Sequence, residues 1–302
     1  MTLTQLKYIV AIARTGSISA AAKELYISQP SLSNAVRELE AELGLVLFER
    51  TRRGAVPTTD GEEFLGYARQ VIEQTDLIEE RYLGAAPVRH QFCISTQHYS
   101  FAVEAFVALI REHGGDEYDF RIRETQTYEI IEDVARLRSE VGVLYLNAFN
   151  QDALRRAFAD NDLVFRPLFR AEPHVFVGSA SPLAQRGSVT LEDLAPYPRL
   201  SYEQGDHNAF YFAEELQSTR AAAKDIMVRD RATLFNLLVG LDGYTICSGV
   251  ISSELNGPNI VSVPLAVDDY MEVGYLTHAR VVPGRMARLY IEALRDLTCP
   301  QI

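Results

Sequence analysis

Apolar positions at the start of the chain recur every three to four residues, the period of a helix with one buried face. Leu3, Leu6, Tyr8, Ile9, Val10, Ile12 and Ala13 form a first stripe that stops near Gly16. Ser17 then stands at a capping position ahead of a second stripe, Ile18, Ala21, Ala22 and Leu25. Small Ala20, Ala21 and Ala22 leave room for a neighbouring helix to come close. A third stripe, Leu32, Ala35, Val36, Leu39 and Leu43, follows the segment "YISQPSLS". Proline inside a helix breaks it. Here, however, Ser28 can accept an orphan N–H, and Pro30 falls in the first turn, where the missing N–H has no partner to lose. The expected layout is helix, short turn at "YIS", helix. After Gly44, "LVLFERTRRGAVPTT" reads as two short strands about the turn Arg52-Arg53-Gly54-Ala55.

The next segment, "DGEEFLGYARQVIEQTDLIEERYLG", carries Phe64, Leu65, Ala68, Val71, Ile72, Thr75, Ile78 and Leu83 at helical spacing. Thr59 and Glu62 have the spacing of a capping box at its start. So long a helix with an apolar seam is poorly satisfied alone. It calls for a second copy of itself, the alternative being packing on its own domain. "GAAPVR" at 84 to 89 reads as a hinge. From there the pattern changes. Short apolar runs ("QFCIST", "DFRIRET", "VGVLYL", "LVFRPLF", "HVFVGS", "YTICS", "IVSVPL", "YMEVGYLTH") alternate with helical ones ("SFAVEAFVALIREH", "YEIIEDVARLRSE", "NAFYFAEELQS", "RATLFNLLVGL", "PGRMARLYIEALRDL"). That alternation marks an α/β sheet domain. The fold class is α/β overall. Its expected parts are a head at 1 to 58, a linker helix and hinge at 59 to 89, and a body at 90 to 302.

Charge sharpens this division. The whole chain carries −12, which by itself argues against a nucleic-acid partner. Residues 1 to 58 hold seven Lys/Arg against five Glu, or +2, so the remainder carries −14. Such a body repels a phosphate backbone unless only the head faces it. The length of 302 residues suits about two domains, and 47% apolar with 23% charged residues is an ordinary globular balance. No run is long and apolar enough for a membrane span. The N-terminus lacks a secretory layout, so the expected location is cytoplasmic, with no membrane partner.

On the third helix the polar residues gather opposite the stripe. Gln29 and Asn34 can pair with adenine edges, Ser31 and Ser33 with several bases, and Arg37 with guanine or phosphate. Ser28 and Pro30 begin that helix. Arg50, Arg52 and Arg53 on the hairpin would meet phosphates or a minor groove. Singly, each is an ordinary solvated residue. Together, the order of helix, tight turn, Ser-capped Pro helix and basic hairpin is a specific DNA-binding pattern. Residues 1 to 66 resemble the winged helix-turn-helix of LysR-type transcriptional regulators, above all in "AAAKELYISQPSLS", "LEAELGLVLFER" and "PTTDGEEFL". Ile18 departs from the aromatic residue common at that position in the family.

The resemblance implies that Ser28, Gln29, Pro30, Ser31, Ser33, Asn34 and Arg37 belong to the recognition helix, and Arg50, Arg52 and Arg53 to the wing. It implies an antiparallel pairing of linker helices in a homodimer, assembly of two dimers into a tetramer, double-stranded promoter DNA as partner, and contact with RNA polymerase. The body is similar, more loosely, to the LysR effector-binding domain, a relative of periplasmic binding proteins. Its landmarks are "PHVFVGSASPLAQRGSVTLEDLAPYPRL" and "LVGLDGYTICSGVIS". That domain has two lobes, here about 90 to 165 with 268 to 302, and about 166 to 267. The chain would cross near Phe165 to Phe169 and return near Pro264 to Asp268. A small-molecule effector, a carboxylate or an amino acid, would sit between them at strand C-termini and helix N-termini. That rule selects Ser95, Thr96, Gln97, His98, Thr125, Thr127, Asn147, Tyr202, Gln204, Asn208 and Ser248. Each Ser or Thr is as readily a helix cap, and Tyr202 as readily a core residue. Glu203 would oppose an anion, leaving an amine-bearing ligand open.

Other functions find less support in the residues. "VGSAS" is not a nucleophile elbow, and there is no phosphate loop or H-E-x-x-H, so no enzyme is expected. Six histidines lack ligand spacing, and no cofactor or metal is expected. Cys93, Cys247 and Cys299 lie far apart with no C-x-x-C pair, which disfavours a zinc site or disulfide framework. A thiol-based redox sensor using Cys93 and Cys247 is the alternative regulator. A solute-binding protein conflicts with the head and with the missing export signal.

Overall fold

The computed structural model describes residues 1–51, 54–83, 90–115, 118–205 and 209–298. They fall into two compact units, one of Met1–Arg89 with Arg136–Arg138, the other of His90–Ala135 with Ser139–Ile302.

The first unit contains α1 (Leu3–Thr15), α2 (Ile18–Glu24), α3 (Gln29–Leu43), the strands β1 (Phe48–Thr51) and β2 (Gly54–Pro57), and α4 (Thr59–Leu83). The three apolar stripes meet in one core that includes Leu6, Ile9, Ile12, Ala21, Leu32, Val36, Leu39, Leu47 and Leu65. Burying each of the larger side chains stabilises the unit by about 1.5–3 kcal/mol. The caps of α2 and α3 fall at the expected serines. Ser17 Oγ accepts from Ala20 N–H at 3.4 Å and Ser28 Oγ from Ser31 N–H at 3.2 Å, with Pro30 in the first turn of α3. Gly44, in left-handed backbone, ends that helix.

Two local expectations shift by a residue or two. The cap of α4 is Thr58 in place of Thr59: its Oγ1 accepts from Gly61 N–H at 2.9 Å and donates to the Val46 carbonyl at 2.6 Å. That second bond ties the helix start to the segment before β1, and it decides between two adjacent threonines. β1 and β2 pair antiparallel with Thr51 opposite Gly54, so Gly54 and Ala55 are strand residues and not turn. Gly54 has φ 121, and a Cβ there would lie 2.2 Å from the Gly16 carbonyl oxygen, the same oxygen that accepts from Ala55 N–H at 2.9 Å. The hairpin is thereby stitched to the end of α1. Arg52, Arg53 and the hinge at 84 to 89 lie outside the described residues.

The second unit holds two sheets. One has the order β4 (Tyr118–Glu124), β3 (His90–Thr96), β5 (Val141–Leu146), β12 (Met271–His278), β6 (Leu163–Ala171). The other has the order β11 (Ile260–Pro264), β7 (His174–Gly178), β10 (Tyr244–Cys247), β8 (Arg199–Tyr202), β9 (Asp225–Val228). β4, β3 and β5 run parallel, as do β10, β8 and β9. Their connections include α5 (Ser100–His113), α6 (Thr127–Ala135), α7 (Gln151–Asp160), α8 (Leu191–Leu194), α9 (Arg231–Gly240) and α10 (Ser253–Asn256), and α11 (Arg285–Thr298) closes the unit. β5 is buried along its whole length, which explains why "VGVLYL" reads as a continuous apolar run.

The chain leaves the first sheet later than the residue pattern suggests. β6 stays paired with β12 as far as Ala171, opposite Met271, past the Phe165 to Phe169 crossing. The antiparallel register of an edge strand, invisible in the residue pattern, sets that limit. A second difference concerns "NAFYFAEELQS". It forms a single 3-10 turn at Phe210–Phe212, followed by turns, where a helix was expected. The Ala213 and Glu215 carbonyls accept from Tyr145 OH at 3.2 and 3.3 Å, and both neighbouring glutamates are buried. A helix would have turned those carbonyls to its own N–H groups.

Gly54→Ala therefore destabilises the first unit by about 1–3 kcal/mol, since both its backbone and its neighbour must move. Gly187→Ala, where a Cβ meets open space, changes stability by no more than about 0.5 kcal/mol. Urea unfolding followed by circular dichroism compares the two.

Candidate nucleic-acid interface and effector cleft

The buried face of α3 uses Leu32, Val36 and Leu39, which leaves Gln29, Pro30, Ser31, Asn34 and Arg37 exposed, with Ser28 at its cap. Arg37 Nη1 donates to Asn34 Oδ1 at 3.4 Å, so the two longest polar groups lie side by side. The Ser28 and Ser31 hydroxyls are 2.8 Å apart and partly occupied with capping. Ser33 departs from the expected face. It is 7% exposed, because the core-facing side of the helix is wider than its apolar stripe, and it is removed from the DNA-contact set. One residue went unnoticed in the sequence. Tyr26 is 96% exposed with φ 54, in the turn that presents α3. An aromatic held fully in solvent in left-handed backbone is costly unless it meets a partner. The Arg50 side chain, Arg52 and Arg53 lie outside the described residues.

In the second unit the C-terminal ends of strands from both sheets converge. His98, between β3 and α5, is the hub. Its backbone N–H donates to Glu214 Oε2 at 3.0 Å, and its Nδ1 lies 2.9 Å from the same oxygen. The other ring nitrogen, Nε2, lies 3.2 Å from the Arg229 carbonyl. Both nitrogens thus face acceptors, an arrangement that favours the doubly protonated ring. Burial works against that charge. The Glu214 carboxylate and its hydrogen bond outweigh burial, and the net pKa is raised. The ring stacks on Tyr202 at 3.8 Å with a 5° interplanar angle. Only 4% of each side chain of the His98–Glu214 pair is exposed.

A second bridge runs alongside. Gln204 Oε1 accepts from Thr127 N–H, at the start of α6, at 3.1 Å, and Gln204 Nε2 donates to Glu214 Oε1 at 3.2 Å. Thr127 Oγ1 accepts from Gln97 Nε2 at 2.6 Å. Arg231 on α9 pairs with Glu124 at the end of β4 at 3.1 Å. His98, Thr127, Tyr202 and Gln204 are therefore brought together as the sequence proposed, with Gln97 supporting Thr127 from within.

Other candidates have different roles. Ser95 Oγ donates to Asp133 at 2.7 Å, inside a buried group with Ser139 that the partly exposed Arg123 covers, because it points to the α6 side of β3. Thr96 is buried and donates to the Gln97 carbonyl at 2.8 Å. Thr125 donates to Glu129 on the surface. Asn147 caps its own turn, accepting from Phe149 and Asn150 N–H at 3.1 and 2.9 Å. These four belong to the scaffold of the cleft. Asn208 lies outside the described residues.

Ser248 lines a cavity of about 40 Å³ together with His98, Tyr99, Tyr202, Glu214, Glu215, Thr245 and Cys247. One water needs about 10–15 Å³, so the space holds only a few small groups. Its closing residues, Glu214 and Glu215, were missed. They sat in a segment read as a helix, and only their adjacency in a charged pair could have raised a flag. Burial, and then repulsion by Glu214, pushes the Glu215 carboxyl up to about 8.

The cysteines sit in different sheets, Cys93 on β3 and Cys247 on β10. Burial pushes the Cys93 thiol up, and it pushes Cys247 up to about 12. Neither is the low-pKa thiolate that redox sensing uses. Cys299 lies outside the described residues. Among the described residues no helix is long and apolar enough to cross a membrane.

A winged helix-turn-helix with a polar recognition face, joined in one chain to a two-sheet binding unit, defines a transcription-factor class. Residues 3–62 match the model of the bacterial regulatory helix-turn-helix protein, lysR family, and residues 92–298 match the LysR substrate binding domain. The chain belongs to the LysR family of DNA-binding transcriptional regulators. It is 25% identical over 287 residues to the RuBisCO operon transcriptional regulator of Allochromatium vinosum, covering 93% of this chain and 90% of that one. It is 43% identical over 86 residues to ClcR of Pseudomonas putida, a match spanning 28% of this chain and only 29% of ClcR's length. Among solved structures, a full-length OxyR point variant from Pseudomonas aeruginosa superimposes with a TM-score of 0.67 at 21% identity, covering 100% of this chain and 98% of that one. That likeness concerns the fold alone.

The raised groups set a pH dependence. Glu215 ordinarily titrates near 4.5, so its raised value favours the protonated acid in the fold. That stability is complete below about 4.5 and is lost as pH rises through about 8. The raised His98 loses its contribution in the same direction. Scanning calorimetry should show the midpoint falling as pH rises from about 5 to about 8.5. Glu215→Gln should flatten most of that fall and leave the part due to His98.

Proposed function

We propose that this regulator binds a two-fold-related promoter site as a dimer and changes transcription when a small molecule occupies the cleft between its two sheets. The observation that carries this reading is the cleft itself, whose walls come from separate sheets and are held by His98, Thr127, Gln204 and Glu214. A ligand that replaces those bonds alters the angle between the sheets. Through the dimer, occupancy of cleft and DNA would be coupled by about 1–3 kcal/mol.

The dimer rests on α4. Leu65 and Ala68 are buried on one side, while Val71, Ile78 and Tyr82 stand exposed along another. Their spacing of seven and then four residues makes a seam suited to a second copy of the same helix. Two such chains present two α3 helices to related half-sites. In the groove, Gln29, Ser31, Asn34 and Arg37 would meet base edges or phosphates, and Arg50, Arg52 and Arg53 the backbone. Assembly into a dimer of dimers and contact with RNA polymerase follow from family resemblance.

The test is a gel shift and footprint on DNA upstream of the protein's own coding region, at several salt concentrations. A protected two-fold site is expected. Arg37→Ala should weaken binding by about 1–3 kcal/mol and relax sequence choice, whereas Arg53→Ala should weaken it evenly with a shallower salt slope. Ser33→Ala should leave base preference unchanged. Ile78→Lys should shift the protein from dimer to monomer in sedimentation and abolish the two-fold footprint. Wild-type behaviour of both arginine variants would overturn the groove assignment.

A further inference from the structure

We propose that the cleft takes a small organic cation, an ammonium group on an apolar body, held by the Glu215 carboxylate and the Thr245 and Ser248 hydroxyls. This rests on the reading of the cleft as the effector site, and it names the class of ligand.

The usual place for an anion is already filled from within. An effector carboxylate would seek the free N–H at the start of α5 and a nearby cation. Glu214 takes both, accepting from His98 N–H and lying against the His98 ring. Gln204 Nε2 completes its shell. Among the described residues no lysine or arginine lines the cavity, and the basic residue that does, His98, is spent on Glu214.

What remains unsatisfied are acceptors. Glu215 is 7% exposed; one oxygen accepts from Tyr202 N–H at 2.8 Å, and apart from its own backbone N–H no further donor among the described residues reaches the carboxyl. Thr245, on β10, is 4% exposed and lines the cavity, yet its hydroxyl makes no hydrogen bond to any described residue. A hydroxyl on the cavity wall whose bonding capacity is unused by the described residues is a place for a ligand partner. Ser248 accepts a long bond of 3.4 Å from Val250 N–H and lines the same space. An ammonium carries three donors and no acceptor, which matches three acceptor groups around one small cavity. The remaining walls, Tyr99, Phe176, Tyr202 and Phe235, offer aromatic surface to a cation and to an apolar tail. An anion in that space would keep Glu215 in its protonated form and would find no free counter-charge among the described lining residues. A neutral alcohol would leave the carboxyl protonated.

The groups that act on Glu215 are Glu214 beside it, His98 and Tyr99 after β3, Tyr145 on β5, Arg199 and Tyr202 on β8, and Cys247 on β10. Arg199 is paired with Asp225 at 2.9 Å, and His98 with Glu214, so neither offers Glu215 a full counter-ion. Binding an ammonium would draw the proton from Glu215, whose carboxyl stands at about 8 in the closed cleft.

The experiment is calorimetric titration of the full chain with methyl- to hexylammonium and, in parallel, with the matching carboxylates acetate to hexanoate. Amines are expected to bind with release of about one proton, read from buffers of different ionisation enthalpy, and with affinity rising up to about tenfold per unit as pH rises toward about 8. Glu215→Gln should lose at least about tenfold in amine affinity. Thr245→Val, close in shape and kept buried, should lose severalfold while melting like wild type. Binding of carboxylates in preference to amines would overturn the cation assignment while leaving the cleft as an effector site. Amine binding that ignores Glu215→Gln, or no binding of either class at tens of millimolar, would also overturn it. The footprint separates the two ideas. Amines that bind through Glu215 yet leave the DNA footprint unchanged would uphold the cation site and sink the ligand-responsive reading.

Discussion

The bond that organises the regulatory unit is the one between His98 and Glu214. It crosses between two sheets and is almost fully withdrawn from water. A buried ion pair is not in itself strong evidence for stability, since desolvation offsets much of its Coulomb attraction. What makes this one persist is the completeness of its surroundings. Glu214 accepts from a backbone N–H and an amide and lies against one His98 ring nitrogen, and the other ring nitrogen faces a carbonyl that can accept from the protonated ring. Remove either partner and the other is a buried, uncompensated charge. The arrangement is therefore held or broken as a whole, which is the behaviour a two-state element needs.

Glu215 is the counterpart of that satisfied pair. Its neighbour has taken the available cation, and burial with repulsion leaves it as the protonated partner at neutral pH. Two adjacent glutamates in one turn thus carry opposite assignments: one an internal anion that closes the cleft, the other a carboxyl awaiting a cation. Burial makes both cysteines poor redox candidates. Cys247 shares the apolar side of this cavity, and burial disfavours a thiolate.

The DNA-binding unit works by a simpler rule. Its three short helices, wing strands and the start of α4 share one apolar core, and the faces left over are fixed by helical periodicity. Ser28 and Pro30 set where α3 begins, and the core sets its rotation. Asn34 and Arg37 then face outward without any further device, and Ser33 is drawn inward by the same rotation. Tyr26 is held out in solvent by the turn that changes the chain's direction.

The order of elements, the Ser-capped Pro helix, the apolar seam of α4 and the α/β character of the body were legible in the residues before any coordinates. All of these are local: a cap, a period of 3.6 or 2, a run of apolar residues. His98, Tyr202, Gln204 and Thr127 were also legible, because strand ends and helix starts locate a cleft. What depends on distant neighbours needed the folded chain. Pairing with β12 extended β6 to Ala171, a bond to Val46 moved the α4 cap to Thr58, and Asp133 drew Ser95 away from the cleft. The segment around Glu214 and Glu215 is unwound in the same way, since Tyr145, Tyr202, Gln204 and His98 claim its carbonyls and carboxylates. Helical propensity is worth tenths of a kcal/mol per residue. A buried charge that finds its full set of partners outweighs it, and those partners include His98, 116 residues away in sequence.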